Sequence, residues 1–306
     1  MKALVLGQGA IGKRHSRVLQ EDGWEVASVS QYPQDGFRNF FDLEKACNEF
    51  SPEYVVIANR TRDHLATIQS LTKLEFTGIV LVEKPIGMGT VELPPCNFRK
   101  FFVGYNLRFH PLIQKLFQKL HAEKLVSFQV YAGQYLPDWR PQSDYRTSYS
   151  SHQEEGGGVL LDLSHEADYL LWLCGNWRRV SALSGKFSSL DIDSEDVGTF
   201  LVETVRCPAV CVQVNYVDRK GHREIIANTA EHTFKVNLIE GTFQEDGIIE
   251  KITVERDFTY REMHRSVVGT ELTDCCNAHQ GIRVCNFIEA VKSASRNGVW
   301  IKNHEE

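Results

Sequence analysis

Gly7-Gln8-Gly9-Ala10-Ile11-Gly12 follows directly on the apolar run Lys2-Ala3-Leu4-Val5-Leu6, so a buried strand turns through a glycine loop into a helix near the start of the chain. The glycines dictate what such a turn can hold. One permits the tight turn, one lets the backbone approach a pyrophosphate, and one lets helix and strand pack closely. The helix start then offers free N–H groups to the anion. An ordinary strand-to-helix turn can share the pattern. Here, however, strand, glycines and helix come in order and a second apolar run, Trp24-Glu25-Val26-Ala27-Ser28-Val29, follows. Gly7, Gly9, Ala10, Ile11 and Gly12 are therefore read as a dinucleotide-binding turn.

Outward from this loop, apolar runs alternate with helical patterns to about residue 120, as in a parallel sheet built of strand-helix-strand units. Tyr54-Val55-Val56-Ile57-Ala58 and Ile79-Val80-Leu81-Val82 are continuous apolar runs rich in β-branched residues, typical of strands covered on both faces. Ligands of open parallel sheets bind beyond the carboxyl ends of the strands. Asn59, Arg60, Thr61 and His64 follow one such end, and Glu83, Lys84 and Pro85 the other. After about residue 122 the pattern changes to alternation at period two, over 126–131, 197–205, 210–217 and 232–239, which predicts an open, largely antiparallel sheet. Helices are expected over 158–174 and 282–294, and the long segment 136–156 reads as a lid. The fold class is thus α/β: a doubly wound parallel sheet over 1–120 and an α+β domain with a large open sheet over 121–306. The last helix is expected to pack back on the first domain.

The 306 residues, 42% of them hydrophobic, suffice for two domains with sizeable cores. A net charge of −6 with interspersed signs argues against a nucleic-acid or anionic-membrane surface. No apolar stretch reaches the length of a membrane span, so a soluble, cytoplasmic protein is expected. The 8 cysteines do not form a disulfide framework. Cys275, Cys276 and Cys285 flank His279 without zinc-site spacing, so reduced thiols and no metal are expected.

Lys84 is held at a strand end by Pro85, which biases it away from helix and places an ammonium for proton transfer. A solvated surface lysine is the commoner fate. Asp162, His165 and Asp168 recur every three residues, which would align them on one helix face; a carboxylate beside an imidazole orients a general acid/base. A polar helix face without a task fits Asp168 best. Gly156-Gly157-Gly158 ahead of them serves as hinge or turn. Asn106 and Arg108, in Gly104-Tyr105-Asn106-Leu107-Arg108-Phe109-His110-Pro111, supply hydrogen-bonding side chains at the expected domain junction, a favoured place for a pocket.

Taken together, Gly7 to His15, Asn59 to His64, Glu83-Lys84-Pro85, Gly104 to Pro111 and Gly156 to Asp168 resemble, in order and along essentially the whole chain, the Gfo/Idh/MocA family of glucose-fructose oxidoreductase and inositol dehydrogenase. The resemblance implies an N-terminal Rossmann domain, a C-terminal domain with an open sheet, and reversible hydride transfer at a hydroxyl- or carbonyl-bearing carbon. It implies Lys84 and His165 as the catalytic pair, converging on one cavity, with a helical aspartate assisting. Here Asp162 lies three residues before His165, where the family usually spaces it by four. Tyr135-Leu136-Pro137-Asp138-Trp139-Arg140-Pro141 and Asp144-Tyr145-Arg146 resemble members tied to bacterial surface sugars, which implies a nucleotide-linked sugar or nonulosonic acid precursor as substrate. Tyr135, Trp139, Arg140 and Arg146 become candidate substrate residues, the two arginines through bidentate bonds to carboxylate or phosphate. Surface ion pairing explains those arginines nearly as well. Relatives are commonly dimers or tetramers through the C-terminal sheet, and a homo-oligomer is expected.

The resemblance implies a nicotinamide dinucleotide as cofactor, NADP or NAD. An NAD site normally offers a carboxylate at the end of the second strand, where this chain has Ser30 and Gln31. That absence leans the reading to NADP, with Arg14 or Arg38 neutralising a 2′-phosphate, while Asp35 argues the other way. Ser30, Asn59, Thr61, His64, Glu83 and Lys84 complete the cofactor set. Two alternatives stand beside the dehydrogenase: a non-catalytic NAD(P)-binding sensor of the same fold, and a redox-neutral enzyme whose retained cofactor is transiently reduced.

Overall fold

A computed structural model describes residues 1–32, 36–270 and 274–304. Two compact units are built from interleaved segments: Met1–Phe109 with Glu255–Cys285, and His110–Val254 with Asn286–Glu306. The chain first lays down strands β1 (Lys2–Leu6), β2 (Glu25–Val29), β3 (Arg38–Phe40), β4 (Tyr54–Ile57), β5 (Ile79–Val82) and β6 (Lys100–Val103). Helices α1 (Ala10–Glu21), α2 (Leu43–Phe50) and α3 (His64–Lys73) join them. Asp42 caps α2 by accepting the Lys45 N–H at 2.7 Å.

The second unit takes α4 (Pro111–Ala122), β7 (Leu125–Gly133), α5 (Val159–Asp162), α6 (Ser164–Cys174), β8 (Trp177–Gly185), β9 (Val197–Thr204), β10 (Ala209–Asn215), β11 (His222–Thr229), β12 (Thr233–Asn237), β13 (Thr242–Glu245) and β14 (Ile248–Lys251). The chain then supplies α7 (Phe258–Val268) and β15 (Cys276–Asn277) to the first unit, runs through α8 (Ala278–Asn297), and ends on β16 (Ile301–Lys302).

In the first unit the strand order is β15-β6-β5-β4-β1-β2-β3, parallel throughout except for β15. Strands β1, β4 and β5 are buried on both faces, as their continuous apolar runs require. Val18 and Leu19 of α1 and Tyr260, Met263 and Val267 of α7 pack against Val5, Tyr54, Val56 and Leu81. Because strand order reverses between β1 and β4, the carboxyl ends of β5, β4 and β1 form the side where such sheets leave a crevice.

In the second unit nine strands run β14-β13-β12-β11-β7-β10-β9-β8-β16, antiparallel apart from the β7–β10 pair. Both sheets are of the kinds expected from the sequence. Phe128, Val130 and Ala132 of β7 and Val210, Val212 and Val214 of β10 bury one face, while residues between them face out. The expected helix over 158–174 is not continuous: it breaks at Leu163, where backbone at φ −96°, ψ 34° separates α5 from α6. The expected 136–156 lid is a string of short 3₁₀ turns at 136–138, 145–147, 149–151 and 153–155.

Candidate functional site

Gly7 sits at φ +98°, a region that favours glycine, and a Cβ there would lie 2.7 Å from Ala58 O. A Cβ on Gly12 would lie 2.0 Å from Gly7 O, so α1 approaches the loop as closely as backbone allows. Gly9 is different: nothing lies within 4 Å of the place a side chain would take. The glycine roles read from the sequence thus divide between tight turn, open approach and close packing. Gly9 and Ala10 are exposed at the start of α1, whose first turn carries no acidic side chain. That arrangement presents the helix's positive end to an anion.

The segment after β4 is held by side chains. Asn59 Nδ2 donates to Thr67 Oγ1 at 2.8 Å, Thr61 opens the short 61–63 turn, and buried His64 places Nδ1 2.9 Å from Pro85 O and Nε2 3.3 Å from Asn59 O. His64 thereby clamps the segment after β4 to the one after β5. Burial lowers its pKa, although Pro85 O opposes the shift. Two buried acceptors on this side, Gln8 Oε1 and Asn59 Oδ1, have no hydrogen-bond partner among the described residues. Buried polar atoms are rarely left so, and here they mark places for a polar ligand. Open Gly9, the helix start and these acceptors fit a dinucleotide.

After β5, Glu83 is buried with Oε1 2.8 Å from His15 Nε2, and its Oε2 accepts the Lys84 N–H at 3.2 Å. Burial opposes its charge, but the His15 bond and the nearby charge of Lys84 keep its pKa below the ordinary value. A Cβ on Gly104 would come within 2.9 Å of Glu83 Oε1, so glycine there makes room for the carboxylate. Lys84 is half-buried, and its bond to Pro85 is cis. Asn106 and Arg108 are buried within the same unit; Asn106 donates to Thr259 Oγ1 at 2.7 Å and Arg108 to Gln280 Oε1 at 3.0 Å.

The candidates at the end of β2 are already engaged. Ser30 Oγ accepts the Tyr32 N–H at 3.0 Å and donates to Tyr32 O at 3.2 Å. Arg14 bonds Asp257 Oδ1 and Arg256 O, both at 2.6 Å, and stacks 4.2 Å from the Tyr260 ring centroid. Arg38 pairs with Glu49 at 3.0 Å. Asp35 lies outside the described residues. Asp257, which anchors both Arg14 and Arg17, was not legible in advance because it arrives from a distant part of the chain.

In the second unit, half-buried His165 stands on the first turn of α6, and Asp162 ends α5 on the far side of the break. The two therefore do not share one helix face, correcting the expectation of a single helix. Asp162 is buried and accepts the Tyr216 hydroxyl at 2.6 Å, and Tyr149 also hydrogen-bonds it; burial first and then the neighbouring carboxylate raise the Tyr216 phenol pKa, whereas for Tyr149 the carboxylate leads and burial adds to it. Trp139 meets Tyr216 edge-on at 5.2 Å between centroids, so Asp162, Tyr216 and Trp139 form one cluster. Asp168 is fully buried in α6. Tyr135 carries the Arg219 guanidinium 3.5 Å from its ring centroid. Arg140 is exposed, and exposed Arg146 is paired with Asp144 at 2.7 Å. Neither tyrosine at Asp162 was singled out from sequence; Tyr149 and Tyr216 carry no spacing that marks them. Among the described residues, no group of three His, Cys, Asp or Glu is placed to hold a metal ion, and no helix is long and apolar enough to cross a membrane.

Residues 113–244 match the family model described as the GFO/IDH/MocA C-terminal domain, which meets the resemblance read from the sequence. Among solved structures, GenD2 from gentamicin A biosynthesis, in complex with NAD, is 19% identical over 99% of this chain and 96% of its own, with a TM-score of 0.79. A levoglucosan dehydrogenase in complex with NADH is 15% identical over 99% and 98%, at 0.82. The WlbA dehydrogenase from Bordetella pertussis, in complex with NADH and UDP-GlcNAcA, is 17% identical over 100% and 99%, at 0.79. At these identities the likeness is one of fold. No curated protein matches the sequence.

Proposed function

We propose that this chain, which carries a GFO/IDH/MocA C-terminal domain over residues 113–244, is a nicotinamide-dependent oxidoreductase acting on a hydroxyl or carbonyl carbon of a sugar or nucleotide-sugar. One observation carries the reading. The glycine loop, the Asn59–His64 segment and Glu83–Lys84 follow three strands that are neighbours in the sheet, at the side where strand order reverses. Gly7, Gly9, Ala10, Ile11 and Gly12 would hold the pyrophosphate, and Asn59, Thr61 and His64 shape the neighbouring wall. A bound nicotinamide supplies the hydride donor or acceptor. Lys84 exchanges the proton of the reacting oxygen, Glu83 fixes the lysine's backbone, and His165 assists in proton transfer, with Asp162 held for its part by Tyr149 and Tyr216.

The ion pairs in the first unit favour NAD over the NADP to which the sequence leaned. Arg14 already faces buried Asp257, so recruiting it to a 2′-phosphate would strip that carboxylate of a partner, whereas the exposed Arg38–Glu49 pair weighs little either way. Solved relatives bound to NAD or NADH support the same choice. UDP-GlcNAcA in one of them supports a nucleotide-sugar, while a surface-sugar precursor stays an inference from the sequence resemblance. The outward face of the second sheet is the proposed self-association surface of a dimer or tetramer.

The purified protein is mixed with NAD or NADH and a panel of sugars and sugar nucleotides, and the absorbance of reduced cofactor is followed. Turnover of at least one substrate is expected, with Lys84→Met slowing it by about 10²–10⁴-fold while NADH binding is largely retained. Binding of cofactor without turnover across the panel would favour the sensor reading.

A further inference from the structure

In the first unit, four buried side chains from separate parts of the chain form one continuous line of hydrogen bonds. Tyr54 Oη lies 2.9 Å from His264 Nδ1, His264 Nε2 lies 2.9 Å from His15 Nδ1, and His15 Nε2 lies 2.8 Å from Glu83 Oε1. Tyr54 and His15 are wholly buried and His264 is 1% exposed. Nothing in the sequence pattern marks His264; its partner His15 is 249 positions away.

The protons along this line follow by elimination. His264 Nδ1 is the hydrogen-bond partner of the Tyr54 hydroxyl among the described residues, and Tyr54 is wholly buried from bulk solvent. If the phenol accepted there, its own proton would be left unplaced in a buried site, which is costly. The phenol therefore donates, and His264 Nδ1 accepts. A neutral imidazole carries one N–H, so the His264 proton sits on Nε2 and is donated to His15 Nδ1. His15 must then carry its own proton on Nε2 and donate it to Glu83. Burial and the neighbouring His15 hold the His264 pKa well below its ordinary value, consistent with a neutral ring.

We propose that His264 is a positioning residue for the Glu83-Lys84 segment: by fixing the proton of His15 on Nε2, it keeps the buried Glu83 carboxylate ionised and oriented beside Lys84. This rests on the reading of Lys84 as the acid/base group. Without the His264 donor, His15 is free to move its proton to Nδ1, which turns a bare nitrogen lone pair toward Glu83. The carboxylate must then turn away or take up a proton. The titratable groups around Glu83 are Lys84 beside it, His15 of α1, Tyr54 of β4, His64 of α3, and Tyr260 and His264 of α7.

The test compares His264→Leu, His264→Gln and Tyr54→Phe with the unaltered protein. Glutamine offers a donor toward His15 and an acceptor toward Tyr54; leucine offers neither. Nitrogen-15 NMR of the histidine rings, recorded without cofactor, should show both His15 and His264 protonated on Nε2. A proton on Nδ1 of His15 in the unaltered protein overturns the proposal. In His264→Leu, kcat is expected to fall about ten- to a hundredfold. The acid limb of its pH profile should rise by about one unit or more as Glu83 loses its donor. NADH affinity should stay close to the original, and His264→Gln should restore most of the rate. An acid limb unmoved in His264→Leu, or glutamine failing to restore the rate in a folded protein, overturns the positioning role. If His264→Leu does not fold, Tyr54→Phe, which frees His264 to change tautomer, must show a smaller shift of the same sign. Should Lys84→Met prove fully active, the acid/base reading fails, whereas the ring NMR still reads the tautomers.

Discussion

Gly12 carries the strictest steric demand of the glycine loop, and Gly9 the loosest. In Gly12→Ala the new methyl would meet Gly7 O at 2.0 Å, so backbone must move. Denaturant unfolding should show a loss of about 1–3 kcal/mol, with weakened NADH binding. Gly9→Ala meets no protein atom within 4 Å, so its melting curve should match the original while NADH fluorescence titration shows weaker binding. If Gly9→Ala binds NADH normally, the pyrophosphate does not lie over that glycine. His110 is a residue whose work needs the neutral ring: its Nδ1 accepts the Leu112 N–H at 3.2 Å and caps α4. Burial, aided by the charge of Arg223, lowers its pKa to about 4. At this scale the sequence announced the glycines, because a missing Cβ is a local fact. It was silent on the bonds holding Arg14, Asp162 and His15, whose partners come from elsewhere in the fold.

The α5–α6 break shows what an element owes to its surroundings. Spacing alone aligned Asp162, His165 and Asp168 on one helix, yet the chain ends α5 at Asp162 and begins again at Ser164. Gly158 sets this entry at φ +114°, and a Cβ there would come within 2.4 Å of the Glu195 carboxylate. Asp162 is then taken by the Tyr216 hydroxyl from the residue following β10. Tyr216→Phe removes that donor from a buried carboxylate and should cost about 1.5–3 kcal/mol in thermal or denaturant unfolding. A loss within error of zero would show that Tyr149 alone holds Asp162. The strands were legible because alternation and β-branched runs encode burial directly, whereas β8, β11, β13 and α7 were not delimited in advance. In α7 the apolar positions Tyr260, Met263 and Val267 are interleaved with charged residues, and only packing on the sheet distinguishes its inner face.

Across the whole molecule, buried neutral histidines tie stability to pH. Burial lowers the pKa of His64, His110 and His264 below the ordinary 6.5, that of His110 to about 4. The unfolded chain takes up these protons below about pH 6.5 while the folded chain does not, so stability is full above that value and declines as pH falls. Each histidine contributes about 1.4 kcal/mol per pH unit until its folded pKa is reached. Melting temperatures from pH 7 to pH 5 should therefore fall, with a shallower slope in His264→Gln; a flat profile would show that these rings are charged in the fold. The proposed self-association face offers a second check: Leu201, 51% exposed on β9, changed to Glu should move the protein to a smaller species in light scattering. The sequence by itself determined the two kinds of sheet and the nucleotide-type turn, since periodicity, β-branching and glycine act within a few residues. Only the tertiary structure decided that Arg14 faces Asp257, that Asp162 is held by tyrosines, and that His264 completes the line to Glu83. Those outcomes depend on which distant side chains share a dry interior, where every polar atom needs a partner and the chain's order along the sequence does not name it.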